Sequence, residues 1–156
     1  MQIRLAETAG FCFGVERAVA VAEQTARSCK NAVTLGPIIH NRHVVARFEL
    51  LGLREISAAD EAQPGQTVVI RAHGIPVGEQ RMLSARGALT VDATCPFVKK
   101  IHVIAQKAER DGRSLLIIGT PTHPEIIAIA SYSSDAHVFQ SAEAVSYTHL
   151  RAHETV

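Results

Sequence analysis

With 156 residues, 16 Lys plus Arg and 15 Asp plus Glu, the chain has length for one core, or for one domain and part of another. Its net charge of +1 and lack of long charge runs exclude a nucleic-acid tail. No apolar run exceeds Ile126 to Ala130, too short to span a bilayer, and the first residues lack an apolar signal region, so a cytoplasmic protein with no membrane partner is expected.

Aliphatic residues are plentiful, Trp is absent and aromatics make up 4%, which suits an α/β core. In chain order, Ile3 and Leu5 alternate as a short strand, and Gly10 to Gly14 form a glycine-flanked loop around Cys12. A helix follows, with Val15, Ala18, Val19, Ala22 and Ala26 on one apolar face. Cys29 extends that stripe and reads as structural. Val33 to Gly36 is a second strand; after His40 and Asn41 a helix carries Val44, Phe48 and Leu51 until Gly52 stops it. A short strand at Leu53 to Ile56 and a polar turn at 60–65 lead to the strand Thr67 to Arg71. Then come Ala72-His73-Gly74 and a helix to Arg86.

Leu89 to Asp92 reads as a short buried strand, and Pro96 opens an amphipathic helix, so Cys95 sits at the junction. Free N–H groups and the positive end of the helix dipole suit a thiolate ligand there, and Pro loses nothing at the first helical position. The helix bears Val98, Ile101, Ala105 and Ala108; Ser114 to Ile118 reads as another buried strand. His123-Pro124-Glu125 begins one more helix, and Val138 and Phe139 one more strand.

The alternation predicts an α/β fold of mostly parallel sheets with crossover helices. Ligands gather beyond the carboxyl ends of such strands, where Cys12, His40, His73, Cys95, His123 and Glu125 are all expected to fall. Helix N-termini aimed at one region, with three imidazoles, suit an anionic substrate carrying phosphate. Glu125 is a candidate proton carrier or a first-turn acid that complements the helix dipole. His43, His102 and His137 lack the junction placement and read as structural. Cysteines at 12, 29 and 95 form no close pair, which argues for reduced thiols or metal ligands over a disulfide framework. Spacing alone leaves an iron–sulfur cluster and zinc both open.

Gly10-Phe11-Cys12-Phe13-Gly14-Val15 with Arg17-Ala18, His40-Asn41, Ala72-His73-Gly74, Asp92-Ala93-Thr94-Cys95-Pro96 and His123-Pro124-Glu125 together resemble the 4-hydroxy-3-methylbut-2-enyl diphosphate reductase (LytB) family over residues 1 to about 143. The resemblance implies an oxygen-sensitive 4Fe-4S cluster held by three Cys, two of them matched by Cys12 and Cys95. It implies that His40, His73 and His123 surround the diphosphate of the substrate and that Glu125 delivers protons. The implied reaction takes two electrons, from ferredoxin or flavodoxin, and two protons, and removes the allylic hydroxyl as water to give isopentenyl and dimethylallyl diphosphates.

No Cys follows Cys95, so the family's third ligand is absent from this chain. Within a three-domain pseudo-repeat around a central cluster, the chain is expected to supply a first α/β domain with the cluster loop at 1–96 and the start of a second at 97–143, inactive as truncated. Residues 144–156 read like one frame of a common transposase-based sequencing adapter and are expected to be non-native, including His149 and His153. The alternative from another class is a phosphate-ligand-binding α/β module without redox activity, in which both cysteines are simply buried.

Overall fold

The structure is a computed structural model and describes residues 2–146 apart from 5 and 8. Four parallel strands form the main sheet: β1 (Ala32–Leu35), β2 (Arg54–Ile56), β3 (Thr67–Ile70) and β4 (Leu89–Asp92), in the order β2-β1-β3-β4. Register runs Leu35 to Ile56, Leu35 to Ile70 and Ile70 to Asp92, which aligns the carboxyl ends. The chain leaves β1 for β2 on one side and returns to β3 on the other, so the strand order reverses at the crevice between β1 and β3.

Alternation along the central strands supplies two faces. Ala32 and Val69 join Ala18 and Ala22 of α1 (Phe13–Ser28), Phe48 of α2 (Arg42–Leu50), Ile38, Ile39, Ala72 and Ala93 in one cluster. Val33, Leu35, Val68 and Ile70 pack on the opposite face with Leu83 of α3 (Val77–Ala85), Ile75 and the 3-10 turn Ala59–Glu61. Leu35, Ile38, Ile75 and Leu83 are fully buried, each worth about 1.5–3 kcal/mol of burial. Cys29 is half-buried against the first cluster, as a structural residue should be.

Helix α4 (Pro96–Arg110) leads to a second, two-stranded parallel sheet of β5 (Leu115–Ile118) and β6 (Ala136–Phe139), with α5 (Pro124–Ala130) between them and α6 (Ala142–Ser146) after. Ala105, Ile117 and Ile129 form its small core.

Three expectations need correction. Residues 2–4 and 6–7 carry no strand, and Leu5 lies outside the described residues; Ile3 is exposed and so lacks the packing that would hold a strand. Cys12 therefore heads α1 without following a strand. β4 is not a buried strand: it is the sheet edge, pairs with β3, and leaves Leu89 61% exposed. β5 is likewise mostly open, with Ile117 facing the core while Leu116 and Ile118 face out. Among the described residues no helix is long and apolar enough to cross a membrane. The adapter-like residues 147–156, with His149 and His153, lie outside the described residues.

Candidate functional site

Beyond the carboxyl ends of the central strands, hydrogen bonding continues from one loop to the next. Ala72 N–H donates to Ile38 O at 3.1 Å, Cys95 N–H donates to Ala72 O at 2.9 Å, and Ala93 N–H donates to Ile70 O at 3.1 Å. The segments bearing His40, His73 and Cys95 are thereby fixed side by side. Asn41 caps α2 by accepting from His43 N–H and Val44 N–H at 3.0 and 3.3 Å, which sets the loop just after His40.

His123 arrives from the second sheet. Its ring centroid lies 6.1 Å from that of His40 and 5.6 Å from that of His73, while His40 and His73 are 4.7 Å apart. One ring nitrogen from each lies within 4.8 Å of the others, and among the described residues no other group of three or more His, Cys, Asp or Glu side chains gathers this way. Placement at the β1/β3 crevice follows the rule for open α/β sheets.

The ring nitrogens of the group differ in what they can offer a ligand. His123 caps its own helix, with Nδ1 accepting from Glu125 N–H at 3.2 Å. The neutral ring then carries its hydrogen on Nε2 and presents a donor, where a metal would need a lone pair. Burial holds His73 down to about 4, helped by His40, His123 and Arg71, so this ring is neutral at ordinary pH. His73 Nδ1 is buried without a partner among the described residues, as befits a group awaiting a ligand.

Glycine brings the start of α1 against Cys95. Cys12 and Cys95 head α1 and α4, neither forms a side-chain cap bond, and both are free thiols. A Cβ at Gly14 would overlap Cys95 Sγ, so the absent side chain lets the start of α1 lie directly on that sulfur. Arg17, one turn on, donates to Thr94 O at 3.1 Å and holds the segment before Cys95. Asp92 shapes the same turn: its carboxylate accepts from Thr94 N–H at 2.8 Å and pairs with Lys99 at 2.7 Å. These partners outweigh burial and lower its pKa. Two soft sulfur donors drawn from separate junctions suit iron–sulfur ligation. A mixed Cys and His zinc site would need thiol and imidazole in one group, and the histidine group contains no sulfur.

Glu125 lies half-buried in the first turn of α5, outside the histidine group. His43 is exposed and His137 pairs with Asp135 at 2.8 Å, consistent with structural roles. His102 is 6% exposed, stacks on Tyr132 with centroids 4.6 Å apart, and leaves Nε2 unpartnered among the described residues. It lies under the His73 loop, where a Cβ at Gly74 would come within 2.6 Å of its ring. A cavity of about 500 Å³ opens elsewhere, beside Gln80, Arg81, Glu109 and Tyr132. Sequence reasoning passed over Arg71 as the last residue of a strand; the signal was a basic residue at a strand's carboxyl end two positions before His73.

The family model for LytB protein matches residues 3–156. Among curated proteins, the 4-hydroxy-3-methylbut-2-enyl diphosphate reductase of a Nitratiruptor species is 42% identical over 144 residues, which is 92% of this chain and 51% of that protein. The protein of the same name from Nitratidesulfovibrio vulgaris is 44% identical over 154 residues, 97% of this chain and 54% of that one. A solved structure of (E)-4-hydroxy-3-methyl-but-2-enyl diphosphate reductase, the terminal enzyme of the non-mevalonate pathway, superimposes with a TM-score of 0.76 at 39% identity over 93% of this chain and 54% of that chain. The Plasmodium falciparum reductase gives a TM-score of 0.84 at 26% identity over 91% and 45%. The chain thus spans about half the length of the curated relatives it matches. With its five motifs in order and a match running over nearly every residue, the chain belongs to the LytB family.

Proposed function

We propose that this chain contributes the diphosphate-binding and two of the thiol positions of a reductase that removes the allylic hydroxyl of 4-hydroxy-3-methylbut-2-enyl diphosphate. The observation that carries the reading is the meeting of His40, His73 and His123 within 4.8 Å at the β1/β3 crevice, tied through Ala72 to the backbone of Cys95. His123 gives its Nε2 hydrogen to a phosphate oxygen, and His73 and His40 close round the same group. Glu125, next to His123 in sequence, delivers a proton to the departing hydroxyl, so that carbon and oxygen part as water forms.

Cys12 and Cys95 would hold the cofactor, Gly14 leaving the space that lets α1 meet the Cys95 sulfur. When bound, a 4Fe-4S cluster supplies the electrons and Lewis acidity for the hydroxyl. The third thiol of the implied set is not among these 156 residues, and in this reading the chain alone does not turn over. A ferredoxin or flavodoxin as electron source and a cytoplasmic setting belong to the same proposal.

The test is anaerobic reconstitution with iron and sulfide, alongside calorimetric titration with inorganic pyrophosphate. Pyrophosphate binding that His73→Ala and His123→Ala abolish, with iron held only weakly by the chain alone and not at all in Cys12→Ser and Cys95→Ser, is the expected result. Anion binding with no iron at either thiol would turn the reading into a simple phosphate-binding module. Turnover by the chain alone would overturn the division of the site.

A further inference from the structure

The histidine group brings hydrogen-bonding nitrogens and no permanent charge. His73 is neutral, and His123 spends its second nitrogen on its own helix. A diphosphate drawn out of water needs a permanent counter-charge close by.

Arg71 is placed to give one. It follows β3 at the crevice, is half-buried, and donates through Nε to Gly74 O at 3.2 Å, while Gly74 N–H donates to Arg71 O at 3.0 Å. Side chain and backbone thus clasp the turn that carries His73. The guanidinium rests against Gly36 at the end of β1, where a Cβ would come 2.5 Å from Nη1. Gly36, at a φ of +69°, leaves this space open between the ends of β1 and β3. No carboxylate pairs with Arg71 among the described residues, and neither of its Nη atoms has a hydrogen-bond partner there. This fork is free, it sits on the turn that carries His73, and its charge is already felt by that ring.

We propose that Arg71 is a binding residue for the anionic end of the ligand, its Nη fork supplying the charge while the imidazoles supply direction. The inference rests on the anion-binding reading above and adds the residue that sets its strength and salt dependence. A guanidinium is matched to phosphate in shape as well as sign and stays charged at every working pH.

The experiment is calorimetric titration of the full 156-residue chain with inorganic pyrophosphate at several salt concentrations, for the wild type, Arg71→Lys and Arg71→Gln, with thermal midpoints recorded for each. Arg71→Gln should weaken binding by about tenfold or more and flatten its salt dependence. Arg71→Lys, which keeps the charge and loses the clasp on Gly74, should fall between. A second readout needs no ligand: the ring resonances of His73 should titrate at higher pH in Arg71→Gln than in Arg71→Lys. Equal loss in the Lys and Gln variants would make Arg71 a brace for the turn and overturn the proposal. Unchanged affinity in Arg71→Gln would do the same while leaving the histidine site standing. Failure of the wild type to bind pyrophosphate would overturn the anion reading and this inference together.

Discussion

Gly14 lies against Cys95, the sulfur occupying the place where a side chain on α1 would begin. Alanine in a helix is ordinarily better than glycine by about 0.5–1 kcal/mol. Overpacking costs about 1–3 kcal/mol, and Cys95 is held from behind by its bond to Ala72, so the overlap outweighs the helix gain. Gly14→Ala should lower the denaturation midpoint and raise the rate at which Cys95 is alkylated, both measurable on the reduced chain.

Arg17 steadies the same sulfur from the other direction. Its loss in Arg17→Ala removes the bond to Thr94 O and should cost about 1 kcal/mol, since the contact is partly exposed. Thiol labelling should again rise at Cys95 and stay unchanged at Cys29, which packs elsewhere against the main core.

His73 makes stability depend on pH in a definite window. Its folded value of about 4 lies below the ordinary 6.5, so between those limits the unfolded chain takes up the proton more readily. The contribution is present in full above about pH 6.5 and is lost as pH falls toward 4. Allowing for remaining solvent contact, it is on the order of 1–2 kcal/mol. Denaturant midpoints measured across that range should fall more steeply for the wild type than for His73→Gln. Pyrophosphate, by bringing negative charge, should raise the His73 value, so binding near about pH 5 should take up protons; calorimetry in buffers of different ionisation enthalpy measures this.

Gly74 is constrained twice, by a φ of +75° and by the His102 ring beneath it. Gly74→Ala should cost about 2–4 kcal/mol from the two causes together. Adding His102→Ala should relieve the overlap and not the backbone strain. A double-mutant cycle on thermal midpoints should therefore show a coupling of about 1 kcal/mol or more.

The junction placement of His40, His73, Cys95 and His123 was legible in sequence because each stands between an aliphatic run and a helix start. Pro96 and Pro124 marked two of those starts, and both stand at the first helical position. Strand order was not legible. The strands are all short, and Leu89 to Asp92 reads like Thr67 to Ile70 although one lies at the edge and the other in the centre. Ile3 misled because two alternating residues are too short a pattern to define a strand, and Ile3 packs against nothing, being 80% exposed. Arg71 and Gly36 escaped because their relation spans two strands, and no local pattern reports which side chain crosses to which glycine.

One consequence of the His123 cap concerns inhibitors. Since the lone pair of Nδ1 is given to Glu125 N–H, the neutral His123 ring has a hydrogen and no second lone pair left to offer a ligand. Analogues ending in sulfonate, phosphonate or carboxylate oxygens meet a matching partner there, whereas an aminomethyl or amide N–H at the same point meets a second hydrogen. Selectivity among otherwise similar compounds should follow the direction of that single backbone contact.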